Sequence, residues 1–251
     1  MDMSAPLLSL EGVHTHIGAY HILHGVDLQI PVSEITVLLG RNGAGKSTTL
    51  RSIMGLWQPS AGAIRLRDRQ IGGPGMQENT SDIVGLGISY VPEDMGIFTD
   101  LSVAENMLLA ARSARRLDEI DAERLDWIFE LFPALRTFWL YPAGKLSGGQ
   151  KQMLAIARAM IEPRQLLLID EPCKGLSPAI VKGLVRAFHE LKRSRATVLV
   201  VEQNFHFASQ IADRVAIMEN GRIVYSSQMT DLADDSATQE RFLGLSLVTE
   251  H

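Results

Sequence analysis

The chain has 251 residues, 46% of them hydrophobic and 21% charged, proportions that exclude wholesale disorder. Asp and Glu outnumber Lys and Arg by 29 to 24, and the resulting net charge of −5 argues against a protein that coats nucleic acid. A single cysteine, Cys173, excludes a disulfide framework and fits a reducing compartment, while the length suits one large domain or a core with one subdomain.

The opening MDMSAPLLSL has no basic cluster and does not read as a signal peptide, and no apolar run reaches about 18 residues. The expectation is a protein that does not span a membrane but docks onto one that does. Between Leu7 and Arg69, runs such as His21–Ile30 and Ala63–Leu66 are bounded by Gly and Pro and predict an antiparallel layer. Ile35–Leu39, and later Gln165–Ile169 and Thr197–Val201, are continuous apolar runs without alternation, as in parallel strands covered on both faces. Helical patterns follow at Thr48–Met54 and, with interleaved charges, at Val103–Arg116 and Asp121–Phe132. Gly72–Gly75 reads as an exposed loop. Ser177 and Pro178 open a helix whose apolar face carries Ile180, Leu184, Val185, Phe188 and Leu191. Asn220-Gly221, between Val215–Met218 and Arg222–Tyr225, signals a type I′ hairpin. The pattern predicts an α/β fold with an antiparallel β layer and a helical subdomain insertion, and Gly40–Ser47, which fits a phosphate-binding loop between a strand and a helix, makes the expected core that of a P-loop NTPase. The core would span about 1–92 and 161–251, the insertion about 93–160.

Three motifs carry chemistry. Gly40-Arg41-Asn42-Gly43-Ala44-Gly45-Lys46-Ser47, followed by Thr48, lies between a predicted strand and a predicted helix. Its glycines let successive N–H groups face phosphate oxygens, Lys46 would reach the β- and γ-phosphates, and Ser47 would ligate Mg²⁺. Asp170-Glu171 ends a buried strand at the edge where open α/β sheets bind ligands. Asp170 suits Mg²⁺ and Glu171 suits polarising a water, although capping of the next helix would also explain them. Ser147-Gly148-Gly149-Gln150 precedes the helical Lys151–Ile161 and offers a second glycine-rich helix start suited to phosphate. Two such sites in one chain suggest a head-to-tail pair, each nucleotide held between one chain's phosphate loop and the other's turn.

GRNGAGKS, LSGGQ and LLLIDEP in this order resemble the ATP-binding subunits of ATP-binding-cassette (ABC) transporters, over nearly the whole chain. HILHGVDL, GISYVPED, IFTDLSVAEN, EPCKGLSP, VEQN, IADRVAIMENGRIV and the terminal RFLGL are similar to the branched-chain amino acid group, to the shorter of its two ATPase subunits, with urea and amide importers sharing much of the pattern. The resemblance implies ATP hydrolysis that powers import through separate membrane permeases, with ATP and Mg²⁺ bound. It implies a homodimer or a heterodimer with a paralogous ATPase on the cytoplasmic face of the cell membrane, served indirectly by a substrate-binding protein and using no nucleic acid. A soluble ABC ATPase of DNA repair or translation is the other class; such proteins usually carry two cassettes or a long coiled coil, and neither is present here.

The same resemblance implies residue roles. Glu93 stands at the glutamine-loop position that touches Mg²⁺ or water, Ser177 in the loop that meets the opposite chain, and Gln203 at the switch-histidine position. Ile17 stands where an aromatic residue usually stacks on adenine, with His16 and Tyr20 as possible substitutes. The helical insertion is where the permease would dock. His14, His16, His21 and His24 read as surface strand histidines, Arg112, Arg115 and Arg116 as a solvated face, and Leu101, Val103, Met107 and Leu108 as core or contact residues.

Overall fold

The computed structural model describes residues 5–76 and 78–244. Met1–Ser4 of the N-terminal stretch and Leu245 of RFLGL therefore lie outside the described residues. The chain opens with β1 (Leu8–Ile17) and β2 (Tyr20–Ile30), then β3 (Ile35–Leu39), α1 (Lys46–Ile53), β4 (Pro59–Leu66) and β5 (Arg69–Gly72). A short α2 (Thr80–Gly85) leads to β6 (Ile88–Val91). The helices α3 (Val103–Ala110), α4 (Ala122–Leu131), α5 (Pro133–Thr137) and α6 (Gly148–Met160) come before β7 (Leu166–Asp170). Then follow α7 (Pro178–Arg193), β8 (Val198–Glu202), α8 (Phe205–Ile211), β9 (Arg214–Glu219), β10 (Arg222–Gln228), α9 (Met229–Asp234) and α10 (Ser236–Leu243).

Two sheets form. One is antiparallel, in the order β2-β1-β4-β5; the other, β10-β9-β3-β8-β7-β6, is parallel except for the β9–β10 hairpin. The missing alternation in the parallel strands has a direct cause: each strand feeds two cores. Val37, Leu39, Leu167, Ile169, Val198 and Val200 pack into a cluster with the helices, including Met107, Ile128, Leu154, Phe188 and Phe207. Leu38, Leu166, Leu168, Leu199 and Val201 face the other way, into a cluster with Leu50 and Ile53 of α1 and Leu8, Leu10, Val26 and Ile64 of the antiparallel sheet.

β7 and β8 each start and end one residue later than the sequence suggests. Gln165 and Thr197 serve as connectors: Gln165 Nε2 donates to the Leu86 carbonyl at 3.0 Å, and Thr197 Oγ1 accepts from Ser33 N at 2.8 Å. At the other end Asp170 and Glu202 stay in register with neighbouring strands despite their charge. The helix expected over Val103–Arg116 stops at Ala110. Past buried Ala111, the chain turns so that Ser113 N and Oγ reach Glu162 Oε1, at 2.9 and 3.3 Å. Val103 and Met107 are buried. Gly72 and Gly73 are buried as well, so only Pro74 and Gly75 of that expected loop are exposed. The hairpin turn has left-handed φ at both Asn220 (47°) and Gly221 (73°), as a type I′ turn requires. Among the described residues no helix is long and apolar enough to cross a membrane.

Candidate active site

β3 lies between β8 and β9, and the loop Gly40–Gly45 carries the chain from its carboxyl end into α1. Gly45 is the helix N-cap at φ 110°, where an L side chain would be strained and its Cβ would sit 3.0 Å from Leu23 Cδ2. No side chain caps α1. Its first N–H groups, with the positive end of the helix dipole, are therefore available to an anion. The β9–β10 turn braces this loop from behind: Gly221 N donates to the Ala44 carbonyl at 2.9 Å, while the Gly221 carbonyl accepts from His24 N at 2.9 Å.

Lys46 is 4% exposed. Its Nζ donates to the carbonyls of Gly40 (2.9 Å) and Arg41 (3.2 Å) and forms an ion pair with Glu171 Oε1 at 3.3 Å. Glu171 sits directly after β7 at φ 44°, a left-handed backbone in a non-glycine residue, which costs roughly 1–3 kcal/mol. The conformation is held by Glu171 N donating to the Val201 carbonyl and by Lys174 N donating to the Glu171 carbonyl. Glu171 Oε2 is buried and has no hydrogen-bond partner among the described residues; Lys174 Nζ lies 3.6 Å away. Lys174 also pairs with Glu93. Ser47 Oγ donates to Asp170 Oδ1 at 3.0 Å, and Tyr90 OH donates to Asp170 Oδ2 at 3.2 Å. Burial pushes the Asp170 carboxyl above the ordinary range, the two hydrogen bonds pull it back, and nearby Glu93 and Glu171 push it further up. Burial and then the Asp170 charge push the Tyr90 phenol up to about 12.

The result is a cleft of about 290 Å³ with Asn42, Gly43, Lys46, Ser47 and Thr48 on one wall and Glu93, Glu171 and Lys174 on the other. A positive helix end and a lysine face two carboxylates, which suits a polyphosphate and a cation together. The hard-oxygen pair Ser47 and Asp170, 3.0 Å apart, has the donor chemistry that would hold Mg²⁺. Glu93 is engaged by Lys174 in this arrangement.

Other expected residues lie elsewhere. Ser147 and Gln150 bond each other in a capping box at the start of α6: Ser147 N donates to Gln150 Oε1 at 2.9 Å, and Gln150 N donates to Ser147 Oγ at 3.3 Å. With Gly148 and Gly149 they stand outside the phosphate cleft. Gln203 is exposed and outside it too, and His206 lies in α8. Ser177 occupies the N-cap of α7, but its side chain makes no capping bond. Ile17 is half-buried and does not line the cleft, whose apolar lining residue is Ile22. Tyr20 is 74% exposed.

The four histidines lie on β1 and β2, as expected, and their rings gather there. His16 stacks on His21 with centroids 4.1 Å apart, His21 meets His24 at 3.9 Å, and His14 Nδ1 lies 3.0 Å from His21 Nε2. Burial, then the charges of His21, Arg222 and His14, lower the His24 pKa. Among the described residues no cluster of three or more His, Cys, Asp or Glu is arranged to hold a metal ion.

Sequence reasoning missed Tyr90, Lys174 and Glu202. The bonds of Tyr90 to Asp170 and of Lys174 to Glu93 span 80 and 81 residues and left no local signal. Glu202 carried one, since VLVVE ends an apolar strand in a carboxylate just as LLLID does.

A sequence profile described as "ABC transporter" matches residues 23–174. The high-affinity branched-chain amino acid transport ATP-binding protein BraG of Pseudomonas aeruginosa is 37% identical, the match covering 95% of this chain and all of that one. A probable branched-chain amino acid transport ATP-binding protein, LivF of Archaeoglobus fulgidus, is 34% identical over 90% and 93% of the two chains. A solved ATP-binding subunit of an ABC transporter is 27% identical, with a TM-score of 0.75 and 96% of each chain covered. A nucleotide-free ATP-binding cassette at 21% identity has a TM-score of 0.78 over 96% and 99%, which speaks to the fold alone.

Proposed function

This chain belongs to the ABC transporter family, and from that premise we propose that it is the ATP-hydrolysing subunit of a branched-chain amino acid importer. It binds and hydrolyses ATP and works with membrane permease subunits. The observation that carries the cargo is its likeness to BraG and LivF over nearly the full length of each. In this reading the chain sits on the cytoplasmic face of the membrane and pairs with a second copy or a paralogous ATPase, and a substrate-binding protein delivers the cargo to the permease.

In our reading Gly40–Thr48 wrap the phosphates and Lys46 neutralises the β- and γ-oxygens. Glu171 orients the attacking water and Gln203 donates its amide N–H to a γ-phosphate oxygen. Ser47 and Asp170, with Glu93 as a third candidate, would hold a Mg²⁺, which would supply positive charge at the phosphates. The Ser147–Gln150 turn lies outside its own chain's cleft, which supports its closing on a partner's nucleotide. Hydrolysis would then reopen the pair and reset the permease. In a strain lacking this chain, uptake of labelled leucine, isoleucine and valine should fail and return with the wild-type gene, not with Lys46→Ala. Intact uptake of all three, with loss of urea or amide uptake, would reassign the cargo.

A further inference from the structure

We propose that Glu202 is a positioning residue that locks the turn carrying Glu171 to the loop carrying Gln203, so that the water-orienting carboxylate and the γ-phosphate sensor move as one unit. The inference rests on the roles given above to those two residues. Glu202 ends β8, is 2% exposed, and does not line the phosphate cleft. Its Oε1 accepts from Cys173 N at 3.0 Å, two residues beyond Glu171. Its Oε2 accepts from Gln203 N at 3.0 Å and Asn204 N at 3.1 Å. One carboxylate thus collects backbone N–H groups from both loops. A backbone bond, Glu171 N to the Val201 carbonyl, runs alongside and clips the same two segments.

The chemistry explains why a carboxylate is used. A buried charge is tolerated when fully hydrogen-bonded, and three N–H donors satisfy this one. A glutamine offers a single acceptor oxygen, and its NH₂ would face a backbone N–H. An aspartate keeps the charge and can stay on Gln203 N and Asn204 N, but one methylene shorter it cannot also reach Cys173 N. Burial pushes the Glu202 carboxyl up; its three backbone N–H partners pull it back; the Glu171 charge adds to the upward push. None of these effects requires Glu202 to touch nucleotide.

The test uses the purified full chain with ATP and Mg²⁺ and measures kcat and KM separately, with ATP affinity by calorimetry and folding by thermal melting. Glu202→Gln is expected to lower kcat about tenfold, the scale of one lost charge-assisted bond, while KM and ATP affinity stay within about twofold. Glu202→Asp, which leaves the Gln203 loop bonded, should lower kcat similarly and keeps the test open if the glutamine variant folds poorly. Gln203→Ala should cost much less in the Glu202→Gln background than in the wild type, because the sensor is already out of register. A folded Gln or Asp variant with wild-type kcat overturns the proposal, as do fully multiplicative effects in the double variant or an inert Gln203→Ala. The underlying reading fails separately, through undiminished turnover in Glu171→Gln.

Discussion

Lys46 and Glu171 neutralise each other, both almost fully buried and 3.3 Å apart. Removing one partner strands the other's charge, which costs on the order of 3–5 kcal/mol, whereas replacing both can be nearly neutral. Lys46→Met should therefore lower unfolding free energy by roughly 3 kcal/mol and abolish ATP binding. Adding Glu171→Gln should recover most of the stability and none of the binding. Urea denaturation of the three proteins checks this; equal stability of Lys46→Met and wild type would contradict it. At this scale the phosphate loop was legible because its residues are consecutive and each follows from the backbone geometry phosphate needs. Tyr90 and Lys174 were not, because their partners Asp170 and Glu93 lie 80 and 81 residues away, and the strand-ending carboxylate of Glu202 did not announce its bond to Cys173 N, 29 residues away. Ile17 was read from the family resemblance; it ends β1, and Ile22 on the paired strand lines the phosphate cleft.

The elements that frame the site are joined by backbone contacts that side-chain patterns do not encode. Asn220-Gly221 announced its hairpin, yet nothing local said that the turn would press against β2 and the phosphate loop. A Cβ on Gly221 would meet the Ile22 carbonyl at 2.0 Å, and its φ of 73° disfavours an L side chain. Gly221→Ala should destabilise the protein by more than about 2 kcal/mol and weaken ATP binding through the lost brace on Ala44. Thermal melting and calorimetry read both, and wild-type ATP affinity in the variant would show the brace to be dispensable. The early end of α3 has a similar origin: the Ser113–Glu162 bonds override a sequence that could have stayed helical. At α10 the Asp235 carboxylate caps the helix, and its bonds to the Thr238 hydroxyl and then to Thr238 N hold its pKa below the ordinary carboxylate value. A depressed pKa contributes stability above the unfolded value and loses it as pH falls through the folded one. Asp235→Ala should therefore melt earlier than wild type at neutral pH. The gap should close in acid, and a gap that persists at low pH would exclude the charged cap.

Across the whole molecule the three motifs divide between two faces. The phosphate loop and the β7 carboxylates share one cleft, joined because β3 and β7 both flank β8 in the parallel sheet. The Ser147–Gln150 turn starts α6, on the helical side, outside that cleft. The fold class followed from apolar runs without alternation, each followed by a loop and a helical pattern, together with the phosphate-loop motif. Two phosphate-type turns were legible in the sequence as separate places, and the second does lie outside the cleft of the first. On the proposed reading each nucleotide would sit between one subunit's phosphate loop and the other's turn, so catalysis would depend on dimer closure. The most direct measurement is size-exclusion chromatography of Glu171→Gln with ATP and Mg²⁺, alongside its turnover. The expected result is ATP binding without hydrolysis and a nucleotide-dependent shift to twice the monomer mass. Undiminished turnover, or a variant that binds ATP and stays monomeric in the presence of its partner ATPase as well, would contradict the account.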